Sequence, residues 1–150
     1  MRMSMLGIAL IWALAPVGCG GNELVGSWQT YVNAEGAPPV RVDMELRSDD
    51  TFTVASAVDF SPSGGLPVDG CTATSAVDGA WSATSSQLEL TAESGTREMS
   101  ACNDPAVNSS TPLDAAELAD SSPTLGYSFV NPDLLRITNP DGSTNDFVRQ

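Results

Sequence analysis

The sequence predicts an all-β protein, an antiparallel up-and-down meander barrel of about eight strands with one short helix in a long loop. Two observations carry this reading. Apolar and polar residues alternate with a period of two over much of the chain beyond residue 24, the pattern of a strand that is wet on one face. The alternating runs are short, and clusters of Ser, Asp, Asn, Pro and Gly separate them, which are the residues that tight turns require. No internal repeat of solenoid length is present.

Taken in order, the clearest run begins at Val40. Val40, Val42, Met44 and Leu46 share one parity, and Arg41, Asp43, Glu45 and Arg47 share the other. Phe52, Val54, Val58 and Phe60 continue the apolar parity, broken only by Ser56. Ser48-Asp49-Asp50 supplies the turn between them, so residues 40–57 read as a hairpin. Residues 61–67, Ser-Pro-Ser-Gly-Gly-Leu-Pro, are loop by composition. Residues 79–83 and 88–91 make a second hairpin about Thr84-Ser85-Ser86. Residues 103–123, rich in Ser, Asp and Ala, form the long loop. Within it Thr111 as cap, Pro112 at the first helical position and Asp114 in the first turn predict a helix over 112–119. Leu125, Tyr127 and Phe129 then alternate opposite Leu135 and Ile137, across Asn131-Pro132-Asp133. Asn139-Pro140-Asp141-Gly142, with Pro preset for the second turn position and Gly free to take positive φ, joins residues 134–138 to 144–149.

Ahead of these strands lies a leader. Arg2 precedes an apolar run from Met3 that ends at Pro16, short of the ~20 apolar residues of a spanning helix, and residues 1–18 read as a signal peptide. The stretch Pro16-Val17-Gly18-Cys19 resembles the lipobox of bacterial lipoproteins, in which the Cys receives a diacylglyceryl group and cleavage falls just before it. The resemblance implies lipidation at Cys19, a lipidated tether over residues 19–23, and a domain over 24–150. It also implies export and anchoring in the bacterial cell envelope, with the membrane engaged through the amino-terminal lipid. The rivals are an uncleaved anchor and ordinary secretion with cleavage after Ala13-Leu14-Ala15, although Pro16 would follow that bond and make it a poor substrate. The chain has three cysteines, and if Cys19 carries lipid, Cys71 and Cys102 are left to pair in an oxidising compartment. No C-x-x-C spacing supports a redox role.

Gly26-Ser27-Trp28 near the start of the domain, with Arg149 in the final alternating run, resembles the lipocalin superfamily. There a Gly-x-Trp on the first strand closes the barrel floor and an Arg from the last strand packs across the indole. The resemblance implies a barrel floor built from Gly26, Trp28 and Arg149, with Gly allowing close approach and a planar guanidinium stacking on the ring. A second Gly-x-Trp, Gly79 to Trp81, is followed by Leu88-Glu89-Leu90, similar to the small bacterial lipocalin-like domains carried on lipoproteins. The Thr-Asp-Tyr motif of core lipocalins and a helix after the last strand are both absent from the sequence, and no pocket residue is transferred. In a different β domain Trp28 and Trp81 would be ordinary core aromatics.

Composition excludes several functions. The formal net charge is −13, and the chain contains neither Lys nor His. Nucleic acid is not an expected partner, because there is little to neutralise phosphates. Without His or Lys, Ser-His-Asp and Ser-Lys nucleophilic sites cannot be assembled within the chain. Zinc sites of the usual kind need His or several Cys, and Asp49-Asp50, Asp69-Gly70, Asp78-Gly79 and Asp141-Gly142 are turn chemistry without an EF-hand spacing. An enzyme, a metal and a cofactor are therefore not expected. The expected function is a membrane-anchored, lipocalin-like lipoprotein that binds a small apolar or amphipathic ligand. The alternative is a filled-barrel interaction module of the envelope, protease-inhibitor-like or an assembly protein, whose partner would be an envelope protein. The interior discriminates them: inward positions such as Val42, Met44, Phe52, Leu90, Tyr127 and Phe129 either close on themselves or leave a cavity.

Overall fold

The computed structural model describes residues 23–33, 37–60 and 70–150. The strands are β1 (Gly26–Val32), β2 (Val40–Leu46), β3 (Thr51–Asp59), β4 (Thr72–Ala83), β5 (Gln87–Ser100), β6 (Ser109–Pro112), β7 (Thr124–Asn131), β8 (Leu134–Thr138) and β9 (Thr144–Arg149). Among the described residues one α-helix, α1 (Ala115–Asp120), precedes β7. Every pairing is antiparallel, and the order β4-β3-β2-β1-β9-β8-β7-β5 closes on itself through β4–β5. The expected meander barrel is what forms, with β6 as an extra strand outside the ring.

The predicted turns set the register. Met44 lies opposite Val54 and Leu46 opposite Phe52, so the parity read from the sequence becomes the inner face of the β2–β3 hairpin. At its turn the Arg47 N–H donates to the Thr51 carbonyl at 2.9 Å, and the Asp49 carboxylate accepts from the Thr51 hydroxyl at 2.6 Å. Asp50 takes a positive φ of 63° there, a conformation that Asp tolerates better than most side chains. Between β8 and β9 the Gly142 N–H donates to the Asn139 carbonyl at 2.9 Å, with Gly142 at φ 85°. The β4–β5 hairpin is longer than the sequence reading gave it, continuing from Gly79 back to Thr72 and from Thr91 on to Ser100.

The stretch after Cys102 corrects two expectations. It is not simply loop: Asp104 caps a short 3-10 turn over Pro105–Val107, and β6 follows. The helix begins at Ala115, not at Pro112. Asp114 caps it, accepting from the Ala116 and Glu117 N–H groups, while the Glu117 carboxylate accepts from the Asp114 N–H at 2.9 Å. That reciprocal box outcompetes Thr111, whose position before Pro112 favours extended backbone. Thr111 and Pro112 instead pair with Arg97 and Thr96 of β5. One edge of β5 is taken along its length by β4, so β7 and β6 share the other: β7 at Gln87–Glu89 and β6 at Thr96–Met99. Between those two contacts the segment that follows α1 is tied to β5, with the Ala92 N–H donating to Ser122 Oγ and the Leu90 N–H to the Pro123 carbonyl.

The core runs along the barrel axis. Leu24, Trp28, Leu46, Phe52, Leu88 and Leu135 are all but inaccessible, and Trp81, Tyr127, Ile137 and Phe147 are buried around them. Burial of each such side chain contributes about 1.5–3 kcal/mol. Outward positions carry the charge. The arginines of the described residues all meet carboxylates on the surface, as in Arg136–Asp146 at 2.7 Å and Arg97–Glu117 at 2.9 Å. These pairs are half exposed and contribute little individually.

Candidate functional site

The two ends of the barrel differ, and the difference defines the site. At one end lie the β2–β3, β4–β5 and β7–β8 turns and the start of β1. Here three aromatic residues each satisfy their polar atom on a backbone carbonyl. Trp28 Nε1 donates to the Leu24 carbonyl at 2.8 Å, Trp81 Nε1 to the Arg47 carbonyl at 3.1 Å, and the Tyr127 hydroxyl to the Thr84 carbonyl at 2.6 Å. Burial first, and then the Glu23 carboxylate, push the Tyr127 hydroxyl above its ordinary range, so it donates at any physiological pH. Phe129 packs between the rings, 5.9 Å from Trp28 and 6.1 Å edge-on from Tyr127.

Arg149 closes this floor. Register places it opposite Trp28, and its guanidinium carbon lies 4.1 Å from the centroid of the indole. Nη1 donates to the Val25 carbonyl at 3.0 Å, Nη2 to the Glu23 carbonyl at 2.7 Å, and Nε to the Pro132 carbonyl at 3.2 Å. A cation over an indole within about 6 Å contributes roughly 0.5–2 kcal/mol. Gly26 makes the approach feasible: it sits at φ 146°, and a Cβ built on it would fall 2.6 Å from Arg149 Nη1. The glycine of the second Gly-x-Trp does another task. Gly79 lies at the β4–β5 bulge, where a Cβ would overlap the Thr91 carbonyl.

The other half of the barrel is not filled. A cavity of about 320 Å³ lies beyond the floor aromatics. Val42, Met44, Phe52, Val54, Val77, Leu90, Leu125, Ile137 and Phe147 form its walls. Of the six inward positions expected, Val42, Met44, Phe52 and Leu90 line the cavity, while Tyr127 and Phe129 pack into the floor. Thr30, Asp120, Ser121, Asn139 and Asn145 are the polar lining. Thr30 is buried, whereas Asp120, the last residue of α1, is exposed. Sequence reasoning missed this polar set. Thr30 alone was findable, since it shares the parity of Trp28 on β1; the others come from a helix end, a turn and an adjoining strand that only the fold assembles.

The disulfide lies toward the cavity end. Cys71 and Cys102 are bonded as expected, just beyond the Thr72–Ser100 register pair that ends the β4–β5 ladder. Cys19 and residues 61–67 lie outside the described residues. Among the described residues no group of His, Cys, Asp and Glu is arranged to hold a metal ion, and no helix is long and apolar enough to cross a membrane. No protein-family model matches the sequence, and comparison with curated proteins gives no match.

Proposed function

We propose that this chain is a binding protein whose barrel takes one small apolar or amphipathic ligand, held at the bacterial cell envelope by lipid on Cys19. The observation that carries the binding reading is the cavity of about 320 Å³, walled by the apolar parity of the strands above the floor aromatics. That volume is at the lower end of small-molecule pockets. A filled-barrel interaction module needs no such space, so the cavity favours a binder over that alternative. The lipobox-like Pro16–Cys19 stretch supports the anchor, and the Cys71–Cys102 bond is in keeping with an oxidising compartment.

Native mass spectrometry of protein purified from its own envelope tests the binding reading. A retained small-molecule mass, reduced in a Val54→Phe variant that narrows the cavity, is the expected result. A bare chain that also takes up no apolar compound from solution overturns it. The anchor is tested separately: Cys19→Ala should remove an acyl-sized mass from the mature protein, and an unmodified amino terminus at Pro16 would rule the lipid out.

A further inference from the structure

Resting on that binding reading, we infer that the ligand is a cationic amphiphile, an ammonium on a short apolar body, and not a carboxylate or phosphate. The argument is one of charge at the cavity. Among the described residues its one ionisable lining residue is Asp120, flanked by Ser121, Asn139 and Asn145, which add neutral donors and acceptors. No cation answers it. Lys and His are absent from the chain, and each arginine of the described residues is paired with a carboxylate elsewhere on the barrel. Arg149, the one arginine reaching into the core, is committed to Trp28 and three carbonyls at the opposite end. An anionic head at this rim would therefore meet a like charge with no counter-charge, while an ammonium would gain a charge-assisted hydrogen bond. The net charge of −13 also draws cations toward the protein and repels anions.

Size follows from the volume. At about 30 Å³ for each water-sized group, a cavity of about 320 Å³ holds on the order of ten non-hydrogen atoms. The apolar body occupies the walls around Phe52 and Ile137, and the head remains at the Asp120 rim.

Calorimetric titration of the whole mature protein with nonylamine, 1-nonanol and nonanoate at low salt and neutral pH tests this. Nonylamine should bind most tightly, nonanol next, and nonanoate at least tenfold more weakly than the amine. The gap should narrow in high salt. Asp120→Asn should bring the amine down to the alcohol while leaving the alcohol unchanged, and Asp120→Lys should reverse the order in favour of nonanoate. Nonanoate equal to or tighter than nonylamine, or an amine preference untouched by Asp120→Asn, overturns the inference and leaves the binding reading standing. If none of the three binds, both fall together.

Discussion

The floor and the cavity half of this barrel are built from the same eight-stranded ring but solve opposite problems. The floor uses large aromatic side chains with polar atoms, and each of those atoms finds a carbonyl: Trp28 on Leu24, Trp81 on Arg47, Tyr127 on Thr84. The cavity half uses apolar side chains without polar atoms to satisfy, Val42, Val54, Val77 and Met44 beside Phe52 and Phe147, and leaves space between them. The lesson is that the end of a barrel is sealed by residues able to be apolar on one side and satisfied on the other. An open interior needs only the absence of bulk. The ends should therefore respond differently to the same insult.

The largest effect belongs to the floor. Trp28→Ala should destabilise by about 3–5 kcal/mol in denaturant unfolding, the range for truncating a buried aromatic. Next comes the cavity end, where a covalent link adds to the packing of the walls. Replacing both Cys71 and Cys102 by Ser should cost about 3.5–4 kcal/mol by the loop-entropy argument, given their separation of 31 residues. Non-reducing peptide mapping of native protein should recover that single linked pair.

An enlargement to Phe at each end sharpens the contrast. Leu135 is fully buried, and Leu135→Phe overpacks its site, costing about 1–3 kcal/mol. Val54→Phe adds bulk toward the cavity and should cost less than about 1 kcal/mol while weakening ligand uptake. Equal costs at the two sites would mean that the interior is uniformly packed in solution.

A smaller effect than the loss of Trp28 gives the finest test of the floor. Arg149→Ala should cost about 1–2 kcal/mol, through the lost guanidinium stack and the packing of its stem. In a double-mutant cycle with Trp28→Ala the two losses should fall short of additivity, because either change removes the same contact. Full additivity would make Trp28 an ordinary core aromatic.

The sequence was most readable where two short-range signals agreed. In β2–β3 and β8–β9, alternation and turn residues point to the same register, and the strands form where expected. Legibility failed where packing came from elsewhere. The far half of β4, Thr72-Ala73-Thr74-Ser75-Ala76, carries no apolar alternation and is held by its ladder to β3 and β5. β6 is exposed along its length and exists because β5 offers an edge that β7 leaves unused. The helix was displaced because two capping signals lay three residues apart, and only one had its reciprocal glutamate. Arg149 was placed against Trp28 through a resemblance, not through any local pattern. The cavity was beyond reach altogether, since its size depends on distances across the barrel that alternation does not encode.

Arg149 also bears on the time at which this fold can come into being. Its guanidinium grips the carbonyls of Glu23 and Val25, and the Gln150 N–H donates to the Ser27 carbonyl, so the seam between β1 and β9 joins residues more than a hundred positions apart. A chain made from its amino end can form the β2–β3 and β4–β5 hairpins early, because their partners are neighbours in sequence. Trp28, however, has no lid until residue 149 has emerged. Until then β1 has only one neighbour, and its other edge is free to pair with any passing strand. Of all its seams this is the one that a nascent chain must keep from closing on the wrong partner.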